Sequence, residues 1–97
     1  MNTYAILRRN GWRTADDLAS AAERSLAVGE RMSDEVRWIR SYVVEERAGG
    51  LGTLCIYQAT SPEAIRCHAD AAELPATEII AVADTVLVHP DPAPGRP

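Results

Sequence analysis

Residues 53–74, TLCIYQATSPEAIRCHADAAEL, contain a predicted strand followed directly by a predicted helix, and this unit decides the fold. Residues 53–59 alternate two sets of side chains, as a strand does. The Ser-Pro-Glu sequence at 61–63 is a strong helix start, since it supplies a cap, a Pro at the first helical position and an acid in the first turn. We expect this helix to end before Leu74-Pro75, at about residue 73.

The rest of the chain supplies the other elements of a repeated strand–helix pattern. The first strand is predicted to place Tyr4, Ile6 and Arg8 on one face. The remaining predicted elements are the strands 3–9, 36–46 and 79–89, the helix 15–32 and the glycine-rich hairpin loop 47–52.

This βαββαβ order predicts an α+β domain of the ferredoxin-like type, with a four-stranded antiparallel sheet and two helices on one face. The strands carry apolar side chains on both faces, so the face without helices also needs a cover. We expect a second copy of the chain to provide it, which would give a homodimer of the dimeric α+β barrel type. Residues 1–89 are assigned to the domain, and the Pro-rich residues 90–97 are predicted to be a disordered tail.

The charge and hydropathy of the chain exclude two classes of partner. The 97 residues carry a net charge of -4, whereas nucleic-acid binding depends on clustered basic residues. No apolar run approaches the length of about 20 residues that spans a bilayer. The N-terminal residues have no signal-peptide pattern, so we expect a cytoplasmic protein with neither nucleic acid nor membrane as partner, in which Cys55 and Cys67 are thiols.

His68 is the most informative residue for function. It falls on the inward stripe of the predicted second helix, where a buried imidazole needs a partner. A core histidine bonded to a carbonyl or hydroxyl and a metal ligand or acid–base group are both open. Cys55 and Tyr57 share one face of the strand 53–59, so thiol, phenol and imidazole would converge if that face meets the helices. Both are otherwise ordinary core residues.

A candidate ligand pocket follows from strict alternation in the strand 36–46. Alternation places Trp38, Arg40 and Tyr42 on one face. The two aromatic rings would form core, dimer interface or the walls of a pocket. Arg40 would then need an acidic partner, an anion or an exposed position. Together with Tyr57, these three residues are the predicted pocket.

Four stretches of the sequence are similar to those of a known family: VRWIRSYV at 36–43, CIYQA at 55–59, EAIRCHA at 63–69 and PA at 75–76. Through them the chain resembles a small bacterial family of nickel-binding, ferredoxin-like domains of unknown function. The resemblance covers about residues 3–89 and implies the ferredoxin-like fold, a homodimer and nickel binding. The chain departs from the family pattern at Leu7, where members often have an acid, and at Arg40, where many have a histidine.

Three functions are open at this point. The leading hypothesis is a dimeric binding protein for a divalent transition metal, nickel, with the matching residues His68, Cys55 and Glu63 as ligands. The alternative is a small-molecule enzyme, with Tyr57 or His68 as the acid–base group and Arg40 as the anchor of a carboxylate or enolate. A closed apolar cavity containing Arg40 and His68 would favour the enzyme. The third is a non-catalytic interaction module.

Overall fold

The structure is a computed structural model that describes residues 1–93. Its order βαββαβ, with every pair of neighbouring strands antiparallel, confirms the predicted ferredoxin-like fold. The spatial order of the strands is β2-β3-β1-β4. The elements are β1 Asn2–Trp12, α1 Ala15–Arg31, β2 Val36–Glu45, β3 Leu51–Ala59, α2 Pro62–Ala72 and β4 Glu78–Ala81.

Both helices begin where the local sequence predicts. The Thr14 hydroxyl accepts a hydrogen bond from the backbone N–H of Asp17 at 3.2 Å, and the Ser61 hydroxyl accepts one from Ala64 at 3.1 Å. These bonds satisfy amides that have no partner inside the helix. α2 ends at Glu73, which adopts the left-handed conformation with φ 59°. Within the described residues, neither helix is long and apolar enough to cross a membrane.

One face of the sheet packs against both helices, and we call it the helix-covered face; the other is the helix-free face. Buried side chains on the helix-covered face come from alternate positions of β1 and β3 and from the inward stripe of α2. They are Tyr4, Ile6, Arg8, Thr53, Cys55, Tyr57, Ala59, Ala64, Ile65, His68, Ala69 and Ala72. This alternation is the predicted one. It brings Arg8 and His68 into the interior together with the apolar residues.

A β-bulge in β2 overturns one prediction from alternation. Trp38 lies opposite Tyr57 of β3, but the next paired residue, Arg40, lies opposite Ile56. Ile39 is therefore an extra residue, and the side chains after it change faces. Trp38 stays on the helix-covered face, while Arg40 and Tyr42 lie on the helix-free face. The prediction that Trp38, Arg40 and Tyr42 share one face is wrong.

The last strand is also shorter than predicted. β4 contains four residues, Glu78–Ala81, instead of residues 79–89. β4 pairs with β1 through Tyr4 and Ala81, and β1 begins at Asn2. In an antiparallel ladder at this register, residue 83 is the last that lies opposite β1, so the following apolar residues have no strand to pair with.

The segment after β4 runs over the helix-free face without regular secondary structure. Its side chains and those of β2 and β3 line a groove of about 790 Å³. Asp91 accepts a hydrogen bond from the Tyr42 hydroxyl at 2.9 Å and forms an ion pair with Arg40 at 3.2 Å. The predicted disorder of residues 90–97 stays a prediction, and residues 94–97 lie outside the described part of the chain.

Candidate functional site

A cavity of about 260 Å³ lies between α1 and the helix-covered face of the sheet. The space is partly open to the surface, so it is accessible to a small molecule. Its helical wall consists mainly of alanines with Leu18 and Ser25, and these short side chains leave room above the sheet. Trp12, Trp38 and Leu74 supply larger apolar walls. The cavity therefore offers an almost wholly apolar environment.

Arg8 is one of the residues that line the cavity. Arg8 is 1% exposed, and its Nη1 donates a hydrogen bond to the carbonyl oxygen of Pro75. Its Nη2 is buried and has no hydrogen-bond partner. The ion pairs of residues 1–93 are Arg9–Glu46 and Arg40–Asp91, so no described carboxylate neutralises Arg8. A charge removed from water without a counter-charge costs several kcal/mol.

The sequence interpretation did not single out Arg8 as a functional residue. The available signal was its position on one face of the first strand with Tyr4 and Ile6, two residues that belong in the core. A charged residue in such a row is seldom buried without a partner. In the structure all three side chains are buried.

His68 lies inward, and its environment keeps it neutral. It is 1% exposed, and its Nε2 lies 3.2 Å from the carbonyl oxygen of Ser25. Because a carbonyl only accepts, Nε2 carries the proton and Nδ1 carries the lone pair. Burial lowers the pKa of His68 below its ordinary value; the Ser25 carbonyl opposes this shift, and the charge of Arg8 adds to it. Nδ1 has no hydrogen-bond partner.

Tyr57 connects these groups through its ring and its hydroxyl. Its ring meets His68 edge to face at a centroid distance of 5.5 Å, and it stacks with Trp38 at 6.1 Å. Its hydroxyl lies 3.2 Å from Oγ of Ser25. Burial raises the pKa of Tyr57, so the phenol stays protonated at neutral pH. The predicted meeting of phenol and imidazole is present in the structure.

The three predicted metal ligands do not form one group. Cys55 is buried, and its thiol donates to Oγ1 of Thr53 at 3.3 Å. Glu63 is exposed, because five residues on an α-helix separate it from His68 by about 140°. Within residues 1–93 no cluster of three His, Cys, Asp or Glu side chains could hold a metal ion. The described chain alone therefore does not fit nickel through Cys55, Glu63 and His68.

The predicted ligand pocket divides between the two faces of the sheet. Trp38 lines the cavity, and Tyr57 packs on the same face. Arg40 and Tyr42 line the groove on the helix-free face instead. The residues that line this space do not match the closed cavity with Arg40 and His68 that would have favoured the enzyme, because the space is partly open to the surface and its cation is Arg8. The side chains that line it do not include His68.

Comparison with known proteins agrees with this fold. The sequence model of a family described as nickel responsive protein SCO4226-like matches residues 4–82. The crystal structure of SCO4226 from Streptomyces coelicolor A3(2) is similar, with a TM-score of 0.69 over 87% of this chain and 99% of that chain. The two sequences are 24% identical, so this likeness shows the fold alone. No curated protein matches the chain.

Proposed function

We propose that this chain, which belongs to the nickel responsive SCO4226-like family, is a homodimeric domain that binds a small organic molecule. The observation that carries the proposal is the apolar cavity of about 260 Å³ between α1 and the sheet. Pockets for drug-sized ligands usually measure roughly 300–1,000 Å³ and have mostly apolar walls with a few polar groups. The volume here supports a smaller ligand, and Trp12 and Trp38 would contact it.

A substitution that fills the cavity tests this proposal. Ala22 lies in the helical wall, so Ala22→Leu should occupy the space that a ligand needs. Ala27 is exposed on the same helix, which makes Ala27→Leu the matched control. The probes are benzoate and benzamide, and the fluorescence of Trp12 and Trp38 reports their binding.

We expect at least one probe to bind the unsubstituted chain and the Ala27→Leu variant, with binding weakened about tenfold or more by Ala22→Leu. One extra methylene in a hydrophobic pocket changes binding by about 1–3 kcal/mol, or roughly 10–200-fold, and the leucine side chain adds more than one. If neither probe binds, or if Ala22→Leu binds both as well as the unsubstituted chain does, the proposal is wrong.

The homodimer is supported by the apolar character of the helix-free face. Ile39 and Ile80 are 39% and 42% exposed, and Tyr42 is 40% exposed. A second copy of the chain would cover these side chains by packing on this face together with the segment that follows β4. Light scattering during size-exclusion chromatography should give the mass of a dimer, and Ile80→Lys should shift it toward a monomer. A monomeric mass for the unsubstituted chain at high concentration would contradict this arrangement.

Nickel binding is a second candidate, favoured by the family description and by the unpartnered Nδ1 of His68. Cys55 is the other buried donor of the predicted set, and nickel accepts both imidazole and thiolate. Calorimetric titration of tag-free protein with nickel chloride tests it, with His68→Ala as the variant and Glu63→Gln as a control at the exposed position. Loss of binding in His68→Ala would support this candidate, and a null titration of the unsubstituted chain would contradict it.

The cytoplasmic location of the protein stays a prediction.

A further inference from the structure

We propose that the cavity selects a small monocarboxylate with an apolar body, and that Arg8 and Thr53 bind its carboxylate group. This inference rests on the proposed ligand-binding function and adds the chemical class of the ligand. Its starting observation is a buried hydrogen-bond donor that has no acceptor. Among residues 1–93, the buried side-chain nitrogen and oxygen atoms without a hydrogen-bond partner are Nη2 of Arg8 and Nδ1 of His68. Of these two residues, Arg8 lines the cavity.

The two serine hydroxyls of the cavity wall already have partners. Oγ of Ser25 lies 3.2 Å from the Tyr57 hydroxyl, and Oγ of Ser41 accepts a hydrogen bond from Nε1 of Trp38 at 2.8 Å. A buried donor left without an acceptor costs about 1–3 kcal/mol, and more when it is charged. A ligand acceptor placed at Arg8 would therefore recover free energy that the unliganded protein lacks.

Thr53 is in position to supply a second donor. It lies directly opposite Arg8 in the β1–β3 ladder, and both side chains are buried on the helix-covered face. Residues paired in this way have Cβ atoms about 4.5–5.5 Å apart. Oγ1 of Thr53 accepts from the Cys55 thiol at 3.3 Å, which leaves its own O–H free to donate. The two oxygens of one carboxylate could thus accept from Arg8 and Thr53.

The charge balance selects a monoanion. The cavity wall contains one cation, Arg8, and no acidic side chain. One carboxylate would neutralise it, whereas a dianion such as a phosphate monoester would leave a second charge in an apolar space. A neutral ligand would leave the guanidinium uncompensated. The tryptophan and alanine walls then accept the apolar part of the molecule.

The test compares acids with their neutral amides. Benzoate and hexanoate are titrated against benzamide and hexanamide on the full chain, with tryptophan fluorescence and calorimetry as readouts. We expect each acid to bind about tenfold or more tightly than its amide, because hydrogen bonds to charged groups are stronger than neutral ones. Arg8→Met should abolish this preference, and Thr53→Val should reduce it.

Arg40→Met is the matched control, since Arg40 lies on the other face of the sheet and is already paired with Asp91. It should leave the preference for acids unchanged. Equal binding of acids and amides by the unsubstituted chain, or a preference that survives Arg8→Met, would overturn the inference while the cavity still binds ligands. Binding of none of the four compounds would overturn the proposed function itself. If Arg8→Met does not fold, the acid–amide comparison on the unsubstituted chain and on Thr53→Val still tests whether the cavity binds a carboxylate.

Discussion

The two faces of the sheet place an arginine in opposite environments. On the helix-covered face, Arg8 is 1% exposed and has no described acidic partner. On the helix-free face, the side chain of Arg40 is 47% exposed and pairs with Asp91 at 3.2 Å. Exposed pairs of this kind contribute about 0–1 kcal/mol, whereas a buried unpaired charge costs several. The difference indicates which arginine is arranged for a ligand, since only Arg8 would gain much from meeting an anion.

The largest expected effect is on the free energy of unfolding, when an isoleucine is truncated on one face of the sheet or on the other. Ile6 is fully buried on the helix-covered face, whereas Ile39 is 39% exposed. We expect Ile6→Ala to lower the free energy of unfolding by about 2–5 kcal/mol, because the removed side-chain atoms leave a cavity in the core. Ile39→Ala should cost less than about 1 kcal/mol in the monomer, because much of its side chain is already in water.

Urea denaturation at low protein concentration measures both values. In a homodimer, the cost of Ile39→Ala should grow as the protein concentration rises, since association then contributes to stability. Equal costs for the two substitutions in the monomer would show that the faces do not differ in burial as the structure describes.

The second expected effect is the change in the free energy of unfolding when either arginine is replaced, measured in the absence of any ligand. Arg8→Met should raise the free energy of unfolding by roughly 1 kcal/mol, because it removes a buried charge without an acidic partner at the expense of one hydrogen bond to Pro75 and a contact with the Tyr57 ring. Arg40→Met should change it by less than about 0.5 kcal/mol. Thermal and urea unfolding measure both. A loss of several kcal/mol for Arg8→Met would mean that Arg8 supports the fold and that its cost is compensated elsewhere.

The third effect is a pH dependence of the helix-covered face. Burial lowers the pKa of His68 in the folded chain, so the unfolded chain binds a proton more readily. The contribution of His68 to stability is complete above its ordinary pKa of about 6.5. It is lost as pH falls from there toward the lower folded pKa. His68→Gln should remove this loss, which unfolding measured between pH 7.5 and 5.0 detects.

His89→Gln is the control for the pH experiment, because His89 is exposed in the segment after β4. It should retain the pH dependence of the unsubstituted chain. The pKa of Glu46 is lowered by hydrogen bonds from Arg9 and the Asn10 amide, so its contribution is lost at more acidic pH and does not overlap this window. If His68→Gln keeps the full pH dependence, another group is responsible.

The candidate site could be predicted from the sequence only in part. Helical periodicity placed His68 inward, and strand alternation placed Tyr57 on a face that would meet it if the helices covered that face; in the structure the two rings are in contact. Glu63 was added to the site through family resemblance, although its place on the helix points it away from His68. The cavity itself could not be predicted, because it depends on how far α1 stands from the sheet. The position of Arg8 in a row with Tyr4 and Ile6 was visible in the sequence, but the sequence does not show that the guanidinium lacks an acidic partner.

The chain's own sequence determined the order of elements and the two helix starts, because caps such as Thr14 and Ser61 act on amides three residues away. Tertiary structure decided the bulge at Ile39, the early end of β4 and the isolation of Arg8 from any described acid. Each of these depends on a partner strand or helix from a distant part of the chain. Local spacing contains no information about that partner's register, so only the assembled sheet determines which arginine lies in the interior and which lies in water.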